Sequence, residues 1–233
     1  MVLFDDEAYL AKNFKLISET NIPAIKEHIL DISARGGTNF SAGYQKATEL
    51  YDTLKYVNKD EYENRIIVIT DAMPNYGTTS ESGLMSLVQE NADNGIYTSF
   101  VGVGVDFNTE LINSIGSIKG ANYYSVHNSE EFKTRLGEQF EYMVTPLVFD
   151  LNLNFDSDSF EIEKIYGTDN EDATKGNIMK VNTLFPSPTS DGETKGGITV
   201  LKLKKKENSN ANNEINLSVF YTDRNGKKFS NTQ

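Results

Sequence analysis

The sequence predicts an α/β domain built on a mostly parallel, doubly wound sheet, followed by an antiparallel β-rich module. Two observations carry this reading. Short apolar runs alternate with helical patterns through residues 1–145, and such alternation means parallel strands joined by right-handed crossovers under covering helices. After Pro146 the texture changes to period-two alternation without helical periodicity, the pattern of a one-sided antiparallel sheet. The expected domains are therefore 1–145 and 146–233, the second sandwich-like.

In the first domain "MVLF" is a brief buried strand and "AYLAKNFKLI" a second, more exposed one. "NIPAIKEHILDIS" places Ile22, Ile25, Ile29 and Ile32 at spacings of three and four, one face of a helix. "FSAGYQKATELYDTLKYV" repeats the pattern with Tyr44, Ala47, Tyr51, Leu54 and Val57. "RIIVIT" is apolar without alternation, as expected of a strand covered on both faces. A helix over "SESGLMSLVQENADNG" ends at Gly95, a left-handed C-cap. "IYTSFVGVGV" and "NYYSVHN" are strands with the helix "NTELINSIGSIKG" between them. "SEEFKTRLGEQFEYMV" closes the domain as one amphipathic helix capped by Ser129.

In the second domain "LVFDLNLNF", "FEIEKIYG", "GITVLKLKKK" and "INLSVFYTD" read as strands, the last followed by a turn at Asn225–Gly226. "SPTSDGETKGG" and "ENSNANNE" are polar loops. The chain ends on "FSNTQ" without a terminating element, as a piece that stops short of its natural C-terminus would.

Composition narrows the function. A formal charge of −12 argues against nucleic acid or an anionic membrane surface as partner, because phosphate binding needs an excess of Lys and Arg. With no cysteine there are no disulfides, thiolate metal sites or cysteine nucleophiles. No apolar run approaches the roughly 20 residues of a membrane span. The start "MVLFDDEAYL" has neither the basic nor the apolar region of a signal peptide.

Open parallel sheets bind ligands at the C-terminal ends of their strands. The acidic groups there are Asp5 and Asp6 after "VLF", Asp71 after "IIVIT" and Asp106 after "FVGVGV". Two histidines, His28 and His127, give poor support for a Ser-His-Asp arrangement, and "GVGVDF" is no phosphate loop. Oxygen donors remain. Thr38 follows two glycines and precedes a helix, and threonine and aspartate oxygens at strand ends suit a hard cation such as Mg²⁺. Taken singly, Thr38 is a helix-entry residue and Asp71 a turn residue.

The combination of "GGTNFSAGYQKATELY", "RIIVITDAMPNYG" and "YTSFVGVGVDFNTELINSIGSIKGANYYSV", in this order, resembles the von Willebrand factor type A domain over roughly residues 1–145. The resemblance implies a Rossmann-like fold and a metal-ion-dependent adhesion site holding Mg²⁺, Mn²⁺ or Ca²⁺. Thr38 and Asp71 are its metal ligands by position, with Gly37, Asn39, Asp5 and Asp106 as further ligand-binding positions. A third element of that family, D-x-S-x-S after the first strand, is missing. "DISAR" (Asp31 to Arg35) and "DSDSF" (Asp156 to Phe160) are decoys. The domain is therefore read as N-terminally truncated, with metal binding weak or absent. Its sheet must close a gap: "VLF" pairs beside "RIIVIT", another chain or a homo-oligomer supplies a strand, or the domain is marginal.

The implied function is a non-enzymatic adhesion or assembly module whose protein partner presents an acidic residue. The β-rich segment fits a bacterial setting, extracytoplasmic or at the cell surface rather than cytoplasmic. Two alternatives stand beside it. One is a degenerate scaffold with the β module as the interacting part. The other is a receiver-like domain with Asp71 as phosphoacceptor and Asp5–Asp6 holding Mg²⁺, although the late strand end that should carry a lysine offers His127 and Asn128.

Overall fold

Four β-branched residues in a row, Ile66 to Ile69, favour extended backbone. The strand they form, β3 (Asn64–Thr70), belongs to a parallel sheet. The computed structural model describes residues 1–54, 61–71, 73, 75–104, 109–168, 173–190, 193–194, 196–207 and 213–233. They form two compact units: Met1–Ile115 with Tyr123–Asn128, and Gly116–Asn122 with Ser129–Gln233.

In the first unit β3 pairs in parallel with β4 (Ile96–Val103), in register from Asn64 opposite Ile96 to Thr70 opposite Gly102. With β5 (Asn122–Val126) the sheet order is β3-β4-β5. The N-terminal strands β1 (Val2–Phe4) and β2 (Ala8–Leu10) form a separate antiparallel pair. Strand "VLF" thus pairs with its own hairpin partner and not with "RIIVIT", so direct closure of the gap does not occur. The longer strand expected over "AYLAKNFKLI" stops at Leu10. The amides of Ala11 and Lys12 both donate to Met1 O, where the partner strand runs out.

Helix α1 (Ile22–Leu30) starts at Asn21, whose side chain accepts from Ala24 N–H, with a proline in the first turn. The expected isoleucine face is not buried: Ile22, Ile29 and Leu30 are exposed, and Ile32 lies beyond the helix and is exposed too. Helix α2 (Phe40–Tyr51) is the one that builds the core. Phe40 stacks on Phe100 of β4 at 6.0 Å, and Tyr44 donates to or accepts from Thr98 Oγ1 at 2.7 Å. Its stripe continues to Leu54 in a short 3₁₀ turn, and Val57 lies outside the described residues. Beside Tyr44, Gly43 lets the helix approach β1: a Cβ there would stand 2.7 Å from the Phe4 ring.

Helix α3 (Glu81–Asp93) is capped by Ser80 and ends, as expected, with Gly95 at φ 74°. Leu84, Val88, Phe100, Val101, Leu111 and Val126 are buried, Leu111 on α4 (Thr109–Ser117). Fully burying such side chains contributes about 1.5–3 kcal/mol each. Strand β3 is not covered on both faces as its sequence predicts. Ile66 and Val68 are buried, whereas Ile69 is 47% exposed.

The helix expected over residues 129–144 is interrupted. It consists of α5 (Ser129–Lys133), a π turn over Thr134–Glu138 and α6 (Phe140–Val144), with Gln139 N–H donating to Thr134 O. Gly137 sits at the break, a residue that weakens a helix interior.

The second unit is antiparallel. Strands β6 (Val148–Asp156), β8 (Asn177–Leu184), β12 (Asn216–Thr222) and β13 (Lys228–Thr232) form a sheet of order β13-β12-β6-β8. β7 (Phe160–Tyr166) pairs with β11 (Val200–Lys205), and the two-residue strands β9 (Thr189–Ser190) and β10 (Glu193–Thr194) pair with each other. Phe149, Phe155 and Ile178 are buried here. The β12–β13 turn forms at Asn225–Gly226 as expected: Gly226 has φ 79° and Asp223 Oδ1 accepts from both Asn225 and Lys227 N–H. The "FSNTQ" segment, expected to carry no element, lies in β13, which runs to Thr232.

Candidate functional site

Three turns meet where β1 and β3 end. Asp5 and Asp6 follow β1, Asp71 follows β3, and Gly37-Thr38-Asn39 leads into α2. Asn39 ties them together because its side chain caps α2 while its own backbone, at φ −91° and ψ 75°, is not yet helical. Its Oδ1 accepts from Ala42 N–H at 3.1 Å and from Ser41 Oγ at 3.0 Å. Its Nδ2 donates to Asp6 O at 3.0 Å, and its N–H to Asp5 O at 2.7 Å. Gly37 N–H donates to Asp6 Oδ1 at 2.7 Å.

On the β3 side, Thr38 N–H donates to Asn75 Oδ1 at 2.7 Å, and Thr38 O accepts from the amides of Asn75 and Tyr76. Thr78 N–H donates to Ser41 Oγ at 3.0 Å. Gly77 makes this closure possible. Its φ of 70° suits glycine, and a Cβ would stand 2.6 Å from Ser41 Oγ.

The structure places the expected site residues in different roles. The Asp5 carboxylate accepts from Glu7 N–H at 3.0 Å, Tyr9 Oη at 2.9 Å and Arg35 Nε at 2.7 Å. These donors, the Glu7 amide foremost, hold its pKa below the ordinary carboxylate value. Asp5 is thus engaged in fixing the hairpin to the segment before Gly36, and Arg35 of the "DISAR" decoy is its ion-pair partner. Gly37 and Asn39 act through the backbone and cap bonds above. Thr38 is half-buried and Asp71 exposed. Neither the Thr38 hydroxyl nor the Asp71 carboxylate has a partner among the described residues. Asp106 lies outside the described residues, as do Ala72 and Pro74 of the turn after Asp71.

Asn75, Ser41 and Asp6 complete the frame. Asn75 stands two residues before Gly77, a turn composition whose partner on another turn no local pattern reveals.

One hydroxyl and one carboxylate fall short of what Mg²⁺ requires, a near-octahedral shell of about six oxygens. Among the described residues no group of three or more His, Cys, Asp or Glu is gathered to hold a metal ion. Thr38 and Asp71 by themselves therefore leave most of such a shell unfilled by the described residues.

The model of one family, the von Willebrand factor type A domain, matches residues 1–138. Over 147 residues the chain is 25% identical to inter alpha-trypsin inhibitor, heavy chain 4, of Mus musculus. It is 23% identical over 147 residues to inter-alpha-trypsin inhibitor heavy chain H4 of Homo sapiens. Each match takes in 62% of this chain but spans 16% of the relative's length. Among solved structures, von Willebrand factor type A from Catenulispora acidiphila matches with a TM-score of 0.53 at 12% identity, covering 99% of this chain and 56% of that one. That likeness is one of fold.

Proposed function

The chain belongs to the von Willebrand factor type A domain family, and from that premise we propose that it is a non-enzymatic protein-interaction module. Its working surface is the set of turns at the ends of β1 and β3. Membership over residues 1–138 carries the reading, because domains of this family generally mediate protein interactions. The site's construction supports it. Asn39, Asp6 and Asn75 hold the turns rigidly while Asp71 stays exposed, an arrangement suited to presenting a surface rather than enclosing a substrate.

The interaction works without a tightly held metal. Thr38 and Asp71 supply too few oxygens, and the partner an intact family site would take, one presenting an acidic residue, is repelled by Asp71 and by a net charge of −12. Calorimetric titration with Mg²⁺, Mn²⁺ and Ca²⁺ is expected to show affinity no tighter than about the millimolar range of weak oxygen sites. Micromolar Mg²⁺ affinity that disappears in Asp71→Ala would overturn this.

A further inference from the structure

The first unit carries a cavity at the end of its sheet away from the turns. Where β3 begins at Asn64 and β4 at Ile96, about 620 Å³ lies open between helices α2 and α3. That volume is in the range of small-molecule sites. Every residue lining it belongs to the first unit. At about 3.3 Å per residue, the length of β3 puts the cavity roughly 20 Å from the turns that follow the strand.

Its walls carry charge of one sign. Glu49 and Asp52 stand on the α2 side and Glu90 on the α3 side, and no lysine, arginine or histidine is among the described lining residues. Glu49 pairs with Lys46 at 3.0 Å. Asp52 and Glu90 are exposed and have no ion-pair partner among the described residues. Carboxylates on a surface are often merely hydrated, so these three alone decide nothing.

The floor supplies an independent observation. Asn91 is only 4% exposed, and a buried amide needs partners at both its nitrogen and its oxygen. The Thr48 hydroxyl donates to Tyr44 O at 3.0 Å, so only its lone pairs remain for Asn91 Nδ2 at 2.7 Å. Burial raises the Tyr44 pKa, and Thr98 and the Asn91 amide counter it, as donors to the phenol oxygen do. The amide is thereby oriented. Nδ2 is spent on α2, and Oδ1, with no donor among the described residues, is what Asn91 presents to the cavity it lines. A buried acceptor without a donor is unfavourable, and an occupant that donates to it removes that cost. Leu54, Leu87 and Ile96 give the same cavity apolar surface. Carboxylates on two walls, an unmatched acceptor on the floor and aliphatic side chains between them fit one ligand chemistry. It is positively charged N–H donors joined by methylene groups.

We propose that the cavity between α2 and α3 binds an aliphatic polyamine. Its ammonium groups meet Asp52 and Glu90, one N–H donates to Asn91 Oδ1, and its methylenes lie on Leu54, Leu87 and Ile96. This site goes beyond the interaction surface proposed above and does not depend on it.

The test titrates spermidine into the whole chain by calorimetry at fixed ionic strength, with amide resonances followed by NMR. Saturable binding is expected, with shifts at the Thr48, Leu87 and Asn91 amides and none at Thr38 or Asp71. Asp52→Asn combined with Glu90→Gln, both at exposed positions, should weaken binding at least about fivefold. Asp158→Asn, which removes an exposed carboxylate of the second unit, should leave it unchanged. Fully N-methylated spermidine keeps the charge but loses its N–H donors, and it should bind more weakly by a similar factor. Absent saturation, equal weakening by Asp158→Asn, or equally tight binding of uncharged octanediol would overturn the site. Undiminished affinity for the methylated probe would overturn the role of Asn91. Shifts confined to Thr38, Asp71 and their neighbours would move the cation to the turns, overturning the cavity site while leaving the interaction-surface reading intact.

Discussion

Among the described residues, strands β3 and β11 both lie at the margin of a sheet, and their sequences treat that position in opposite ways. β11 places Lys202, Lys204 and Lys205 along its length, and its ladder with β7 shifts register between Lys202 and Leu203. Lys202 and Lys204 pair with Glu163 and Glu161 at 3.0 and 3.4 Å, all four largely exposed. Such ion pairs contribute little stability. Their value lies in a charged, bulged edge that refuses another strand. β3 has neither device at Ile66–Ile69, although its far side is as well packed as any part of the molecule: Thr98, Ser99 and Val101 of β4 are at most 1% exposed. The lesson is that patterning records how many sides of a strand the chain is built to cover. β11 is written as an edge and β3 as an interior strand.

That contrast can be broken from the packed side first. Phe100 lies opposite Val68 in the ladder and under Phe40 of α2, so Phe100→Ala should destabilise the first unit by about 4 kcal/mol through lost burial and a cavity. Urea denaturation measures this, and a loss below about 1.5 kcal/mol would mean that the β3–β4 face is not a packed core.

A smaller effect is expected where the strand ends are tied. Gly77→Ala forces a side chain into a left-handed conformation beside Ser41 and Asn39, at a cost of about 2 kcal/mol. Faster hydrogen exchange at the Thr78 amide should accompany it, since that amide donates to Ser41 Oγ. Unchanged exchange would show that the turn does not depend on this closure.

The smallest change in stability belongs to the guarded edge. Lys202→Thr combined with Lys204→Thr should alter unfolding free energy by about 1 kcal/mol or less. Light scattering should nevertheless show increased self-association, because the charges that block edge pairing are gone. If scattering stays flat, the lysines are not edge guards and the contrast with β3 loses its basis.

Much of the fold was legible in the sequence because its signals are local. The helix at "FSAGYQKATELY", the left-handed Gly95 and the Asn225–Gly226 turn depend on residues within one or two turns of chain. β8 was not legible. Its run "NIMKVNTL" places Asn182 and Thr183 where alternation would want a cleaner pattern, and these side chains are used elsewhere. Thr183 Oγ1 accepts from Gly120 N–H, while Asn182 Nδ2 donates to the carbonyls of Gly116 and Ser117. The break in the 129–144 helix was missed for a related reason: one glycine in a periodic segment lowers helix stability without dictating where a wider turn will form. At the candidate site, Thr38 and Asp71 were found by motif. Asp6, Asn75 and Ser41 were not placed, because their partners lie more than 30 positions away.

By itself the sequence determined the helices at α2 and α3 with their starts, the strands β3 and β4, and that one half is α/β and the other antiparallel. Those outcomes follow from dihedral preference, capping and periodicity, which act over a few residues. The tertiary structure alone decided that Asp5 belongs to Arg35 and Tyr9, that Asp6 and Asn75 frame Thr38, and that β1 pairs with β2 and not with β3. It also decided that the isoleucines of α1 stay exposed while Phe40 and Tyr44 of α2 are buried. Each of these depends on which surfaces meet in space, and an apolar stripe or a carboxylate carries no record of its distant neighbour.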